Sequence, residues 1–227
     1  VGFFLAWRTE GYSEVTPAYQ WRLLSMVILC MVFARSAAMA FNRYIDERFD
    51  KLNPRTAVRE IPAGIIQKQH ALLFVIVTCL LFVATTFFIN RICFYLSPVA
   101  LFVILFYSYT KRFTPLCHLV LGLGLSLAPI GAYLAVTGHF DTLPLLFSFI
   151  VFTWVSGFDI LYALQDESFD RENKLQSIPV LLGRKNAMMV SNMLHVITAS
   201  VVIYIGYAYM QSFYYYAGAA LFTGLLF

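Results

Sequence analysis

The chain reads as an all-α, polytopic transmembrane helical bundle, and three observations carry that reading. Of its 227 residues 60% are hydrophobic and 12% charged, against roughly 45–50% and 25% in soluble domains. The mean hydropathy is +0.74. Apolar runs recur at about 21–41, 70–90, 92–108, 116–138, 143–165 and 187–210, each close to the ~20 residues that a bilayer-crossing helix needs. Hydrocarbon offers backbone groups no water, so such runs form helices or closed barrels, and long unbroken runs favour helices. The same composition excludes a water-soluble globular domain. An aromatic share of 17% with only 12 Gly and 8 Pro excludes disordered and collagen-like chains as well.

In chain order, Val1 to Trp7 is an apolar stub too short to span, and Phe213 to Phe227 is a second incomplete run at the other end. With the six full runs they make eight spans in a single transmembrane domain over residues 1–227, read as a fragment truncated at both ends. Cys30, Cys79, Cys93 and Cys117 lie in or beside apolar runs without CxxC spacing, so they read as buried free thiols rather than metal ligands. His70, His118, His139 and His195 are scattered singly and read as interfacial or helix-packing residues.

The placement of charge sets the topology. Twelve of the sixteen Lys and Arg lie in 42–68, at 111–112 and in 171–185, on alternate connections. The positive-inside rule makes that face cytoplasmic, and the expected location is the inner (cytoplasmic) membrane. Eight of the twelve acids lie in those connections or immediately before the last of them: Asp46, Glu47, Asp50, Glu60, Asp166, Glu167, Asp170 and Glu172. A net charge of +4 distributed this way points to a lipid bilayer and not to nucleic acid as partner.

Two constellations carry the chemistry. Asn42, Asp46 and Asp50 stand at i, i+4 and i+8 where a long run reaches the cytoplasm, and on a helix that spacing is one stripe. Tyr162, Asp166 and Asp170 repeat it 120 residues later, four spans on. Two matched ladders separated by an even number of crossings suggest duplicated half-bundles facing each other. Carboxylates gathered at a membrane face repel unless cations sit between them, and hard oxygen ligands suit Mg²⁺, which commonly bridges carboxylates to phosphate oxygens. Arg43, Arg48, Lys51, Arg55, Arg59, Lys111 and Arg112 supply charge for the same anion. A diphosphate whose apolar tail enters the membrane is a polyprenyl diphosphate.

Arg35 and Asp159 are ionisable residues inside spans, a costly placement that points to a cavity. Arg35 reads as a contact for an acceptor carboxylate, or as a snorkelling or structurally paired cation. Asp159, two turns before Asp166, reads as a substrate contact or as a helix anchor. Tyr107 and Lys111 lie one turn apart at the cytoplasmic face, which taken alone also describes an interfacial aromatic beside a positive-inside lysine. A secondary transporter is the alternative class, since intramembrane charge and repeated halves describe one too; Gly122, Gly124 and Pro129 are its best support, and they equally permit close helix packing or a kink. A non-catalytic membrane scaffold leaves the two ladders unexplained.

Taken together, Asn42-x-x-x-Asp46-x-x-x-Asp50, Asn53-Pro54-Arg55-Thr56-Ala57, Pro62-Ala63-Gly64, Tyr107-x-x-x-Lys111-Arg112 and Tyr162-Ala-Leu-Gln-Asp166-x-x-x-Asp170 resemble the UbiA-type intramembrane aromatic prenyltransferases over nearly the whole chain. The resemblance implies nine transmembrane helices around a cavity open to the membrane, of which this chain lacks most of the first, the end of the eighth and the ninth. It implies that Asn42, Asp46, Asp50, Asp166 and Asp170 carry Mg²⁺ and the diphosphate, with Lys111 and Arg59 as diphosphate contacts. Ser108 to Thr114 and Asp170-Arg171-Glu172 followed by Ser177-Ile178-Pro179 look most like the 4-hydroxybenzoate polyprenyltransferase-like branch, which includes the enzyme of the futalosine route to menaquinone. Arg59-Glu60-Ile61-Pro62 departs from the Arg-Pro-Leu-Pro of ubiquinone-pathway enzymes and favours the menaquinone side. Lys174 and Gln176 stand where that branch is expected to have Gly and His.

The mechanism expected from these residues is ionisation of an allylic C–O bond with the leaving diphosphate stabilised by Mg²⁺ and the basic residues, followed by capture of the cation by an electron-rich ring. Tyr107 and Tyr162 are candidates to stabilise the cation and exclude water. Asp159 or Asp166 is the candidate to orient or deprotonate the acceptor hydroxyl.

Overall fold

A computed structural model describes residues 1–9 and 17–226. Every described element is helical: α1 (Gly2–Thr9), α2 (Pro17–Leu52), α3 (Lys68–Ile89), α4 (Arg91–Thr110), α5 (Cys117–Thr137), α6 (Thr142–Ala163), a 3₁₀ turn (Leu164–Asp166), α7 (Glu167–Glu172), α8 (Ile178–Ala208) and α9 (Phe213–Gly224). Among the described residues six segments are long and apolar enough to cross a membrane: Pro17–Leu52, Lys68–Ile89, Arg91–Thr110, Cys117–Thr137, Thr142–Glu172 and Ile178–Ala208. They correspond to the six runs expected from the sequence, and the two terminal stubs become α1 and α9. Trp21, Leu80, Tyr95, Phe102, Met193 and Ile203 are each more than half exposed, a surface suited to lipid and hazardous in water.

The chain packs as two compact units, Val1–Thr110 with Gly131–His139, and Lys111–Ile130 with Phe140–Phe227. In the first, α2 packs on α3 and α4, and Phe3, Leu23, Val27 and Ala135 form a core with Trp7, Ile89 and Cys93 against it. Asn90 alone joins α3 to α4. Its Oδ1 accepts from the Cys93 N–H at 2.9 Å and its Nδ2 donates to the Leu134 carbonyl at 2.7 Å, so one side chain satisfies groups left over at two helix ends. In the second unit α8 packs on α6, α7 and α9. The α6–α8 seam is lined with small and hydroxylated residues that let backbones approach. Ser191 Oγ donates to the Gly157 carbonyl at 2.7 Å, and the Thr153 and Thr198 hydroxyls lie 2.7 Å apart.

Three features differ from the sequence reading. The 171–185 connection is largely structured, since α8 starts at Ile178 behind an Ser177 cap and turns at Gly183 (φ 75°), a conformation that glycine adopts without steric cost. All four cysteines are free, but Cys117 alone is buried and the other three are half-buried. The second carboxylate ladder is not one continuous α-helical stripe: α6 stops at Ala163, and Asp166 (φ −107°, ψ 8°) ends the 3₁₀ turn before α7 begins.

The C-terminus of α7 supplies a physical reason for that short, separate helix. The Leu175 N–H bonds the Asp170 carbonyl at 2.8 Å and the Lys174 N–H bonds the Arg171 carbonyl at 3.4 Å, with Lys174 left-handed at φ 57° and Leu175 buried. This is a Schellman closure, and it reverses the chain immediately after Asp170. The residue in its left-handed position is the lysine that stands where Gly was expected. Lys174→Gly is predicted to raise stability by roughly 1 kcal/mol, the left-handed penalty less the greater freedom of glycine in the unfolded chain, measured by thermal unfolding in detergent. A methyl group on Gly122 would clash with Ser156 Oγ and meet the Phe152 carbonyl oxygen at 2.6 Å, whereas one on Gly131 meets nothing within 4 Å. Gly122→Ala is therefore predicted to cost about 1–3 kcal/mol through overpacking, with Gly131→Ala neutral or better in the same assay.

Candidate functional site

In the first unit the acidic ladder rides on α2. A helix of 36 residues is about 54 Å long, far more than the ~30 Å of hydrocarbon, so its last turns carry Asn42, Asp46 and Asp50 clear of the apolar span. Asn42 Nδ2 donates to Asp46 Oδ2 at 3.1 Å, as the i, i+4 spacing allows. Asp50 is 6% exposed and its two oxygens accept from Arg59 Nη1 at 2.9 and 3.0 Å.

The turns after α2 bring Arg59 there. Asn53 Oδ1 accepts from the Arg55 N–H at 3.0 Å and Thr56 Oγ1 donates to the Asp50 carbonyl at 3.2 Å. Ile61 is buried beneath, and Gly64 (φ 77°) reverses the chain toward α3. Arg43 pairs with Glu60, and Glu47 takes both Lys51 and Lys68, at 2.7 and 2.9 Å. The segment carrying Arg55 and Arg59 is thus strapped to α2 by charge as well as by turns. Isolated exposed pairs of this kind are weak, but the nearly buried Asp50 is a stronger partner.

In the second unit Asp170 is fully buried. Lys111 Nζ lies 2.7 Å from its Oδ1, and among the described residues Oδ2 has no hydrogen-bond partner. Lys111 is fixed by its own backbone, since its carbonyl accepts from the Gln176 N–H at 2.6 Å. That bond ties the α4–α5 connection to the turn after α7. Arg171 pairs with Glu167 at the surface.

Asp159, near the end of α6, accepts at Oδ2 from His118 Nδ1, 2.7 Å away, while His118 Nε2 accepts from the Ile178 N–H at 3.3 Å. His118 therefore joins α5, α6 and α8. Reading the histidines as interfacial or helix-packing residues did not single out His118 as the partner of Asp159, and the only sequence signal was a polar residue at the head of an apolar run.

The remaining expected residues differ in exposure. Arg35, Arg55 and Arg112 are exposed, Tyr107 and Asp166 are half-buried, and Tyr162 is 45% exposed. Arg35 makes no ion pair among the described residues. Within each unit the structure joins a ladder's last carboxylate to a cation from a following or preceding connection: Asp50 to Arg59, and Asp170 to Lys111. Among the described residues no three His, Cys, Asp or Glu side chains are grouped closely enough to hold a metal by themselves.

A family model described as the UbiA prenyltransferase family matches residues 3–227. A 4-hydroxybenzoate octaprenyltransferase of Tolumonas auensis is 30% identical over 220 residues, which are 96% of this chain and 76% of that protein. Among solved structures, a UbiA homolog from Aeropyrum pernix K1 matches with a TM-score of 0.86 at 32% identity, over 93% of this chain and 78% of that one. A UbiA homolog from Archaeoglobus fulgidus bound to GPP and Mg²⁺ matches with a TM-score of 0.72 at 20% identity, over 90% of this chain and 72% of that one, a likeness of fold. With a family model spanning almost every residue and a 30% identical relative along its length, the chain belongs to the UbiA prenyltransferase family.

Proposed function

We propose that the chain transfers a polyprenyl group from polyprenyl diphosphate to a hydroxylated aromatic carboxylate, of 4-hydroxybenzoate or dihydroxynaphthoate type, in quinone biosynthesis at the cytoplasmic face of the inner membrane. The observation that carries this reading is the pair of buried acid–cation contacts, Asp50 with Arg59 and Asp170 with Lys111, one at the end of each acidic motif. The names and ligands of the relatives support it: the Tolumonas auensis protein is a 4-hydroxybenzoate octaprenyltransferase, and the Archaeoglobus fulgidus homolog holds GPP and Mg²⁺.

The donors present fit Mg²⁺. They are hard oxygens, and Asp170 Oδ2 is buried with no donor among the described residues. A cation that takes one or two carboxylates and completes its shell with water and substrate phosphate needs no cluster of three protein ligands. In the first unit Asn42, Asp46 and Asp50, and in the second Asp166 and Asp170, would each offer ligands to such a cation. Bound there, Mg²⁺ supplies Lewis-acid stabilisation of charge on the departing diphosphate.

The chain's own residues account for the rest. Arg59 and Lys111, each already beside a carboxylate, and the exposed Arg55 and Arg112 are the cations available to the negative charge that grows as the allylic C–O bond breaks. Tyr107 and Tyr162 offer π faces to the allylic cation. The acceptor ring forms a new C–C bond to that cation and then releases its ring proton. Asp159 or Asp166 orients the acceptor hydroxyl, and Arg35 meets the acceptor carboxylate.

The deciding measurement is product formation in membranes with a polyprenyl diphosphate and either 4-hydroxybenzoate or 1,4-dihydroxy-6-naphthoate, with and without Mg²⁺. Metal-dependent prenylation of one acceptor alone is expected; a folded protein that binds no prenyl diphosphate would sink the reading. Asp46→Ala and Asp170→Asn are predicted to lower turnover by about 10²-fold or more, the usual scale for removing an electrostatic contact to developing charge, without loss of folded protein in size-exclusion chromatography.

A further inference from the structure

Asp159 lies inside an apolar span, with Ile160 fully buried beside it, where a carboxylate needs a reason to be. Its only hydrogen-bond partner among the described residues is His118, at Oδ2. The histidine side chain is 3% exposed while that of Asp159 keeps 22% of its surface accessible. A residue serving only to anchor helices would bury both carboxylate oxygens against donors, because each one left bare carries a desolvation cost. Here Oδ1 has no donor among the described residues, and Asp159 is the more accessible member of the pair.

The histidine is held so that it can play one part only. The Ile178 N–H can only donate, so its bond to Nε2 makes that nitrogen the acceptor. In the neutral ring the proton therefore sits on Nδ1 and is donated to Asp159. Ile178 is the first residue of α8, behind the Ser177 cap, so the orientation of the ring is set by a helix terminus rather than by a mobile side chain. The result is a fixed carboxylate with one oxygen committed and one open, the arrangement that a ligand hydroxyl completes.

We infer that His118 is a positioning residue that holds Asp159 with Oδ1 directed to accept the hydrogen bond of the aromatic acceptor's hydroxyl group. This rests on the prenyl transfer proposed above and assigns the acceptor-orienting role to Asp159 rather than Asp166.

Two isosteres separate this role from simple helix anchoring. In His118→Asn the amide nitrogen stands near the position of Nδ1 and keeps the bond to Asp159, while the bond to Ile178 is lost. In His118→Gln the amide oxygen stands near the position of Nε2 and keeps the bond to Ile178, while the bond to Asp159 is lost. In membranes, His118→Gln and His118→Ala are expected to lose about 10²-fold in kcat/KM for the acceptor, the scale of a misplaced reacting group. The KM for the prenyl diphosphate stays unchanged, and His118→Asn recovers most of the loss. Rescue by Gln instead of Asn, or a parallel loss of affinity for the prenyl diphosphate, overturns the assignment.

The pair also has a readout that needs no turnover. In the protein labelled with [¹⁵N]histidine, the His118 signals identified by their absence in His118→Asn are expected to show the Nδ1–H tautomer and to move in Asp159→Asn. If they do not move, the pair is refuted. If they do move while the wild type prenylates neither acceptor, the pair stands and the proposed reaction is what fails.

Discussion

Hydrocarbon gives a peptide group or a charged side chain nothing to bond with, and the arrangement of this protein follows from that lack. Helices satisfy their own backbones, and where they end or touch, single polar side chains finish the task. Asn90 closes the junction of α3 and α4, and Ser191 and the Thr153–Thr198 pair stitch α6 to α8. Most formal charges are carried to the ends of helices, the buried Asp50 and Asp170 are given Arg59 and Lys111 as partners, and the half-buried Asp159 is given His118.

Buried ion pairs are poor stabilisers, since desolvation consumes much of what attraction supplies and well-packed apolar residues often serve as well. Asp50–Arg59 and Asp170–Lys111 are therefore each better accounted for by the anion binding proposed above than by a contribution to fold stability. Each keeps a carboxylate shielded from water in contact with a cation that is still about a third exposed, 31% for Arg59 and 35% for Lys111. A diphosphate and its counter-ion carry the same two kinds of charge. The supporting turns are built to match: the 53–67 segment is strapped to α2, and the Lys111 backbone is locked to Gln176.

Much of this was legible in the sequence because it depends on periodicity and composition. Six runs of near-bilayer length gave six helices, and the i, i+4 spacing at Asn42 and Asp46 gave a contact on one helix face. The same spacing at Tyr162, Asp166 and Asp170 did not give a continuous helix. Asp170 and the turn that follows are tied to Lys111, which is distant in sequence and invisible to a local pattern. His118 was unreadable for a similar reason. Its meaning comes from Asp159, 41 residues away, and from a backbone N–H 60 residues away, and a backbone donor leaves no trace in residue type. The position of Lys174 could be marked as unusual from the sequence, but its left-handed backbone needed coordinates.

The length of α2 has a mechanical consequence. One rigid rod both lies in lipid and bears Asn42, Asp46 and Asp50, so the height of those side chains above the hydrocarbon is fixed by where the apolar part of the rod settles. A thicker bilayer draws them toward the acyl chains and a thinner one lifts them into the headgroups, unless the helix tilts to compensate. Lipid chain length thereby acts on the local dielectric around the carboxylates, and the membrane becomes a tuning element for their charge as well as a solvent for the fold.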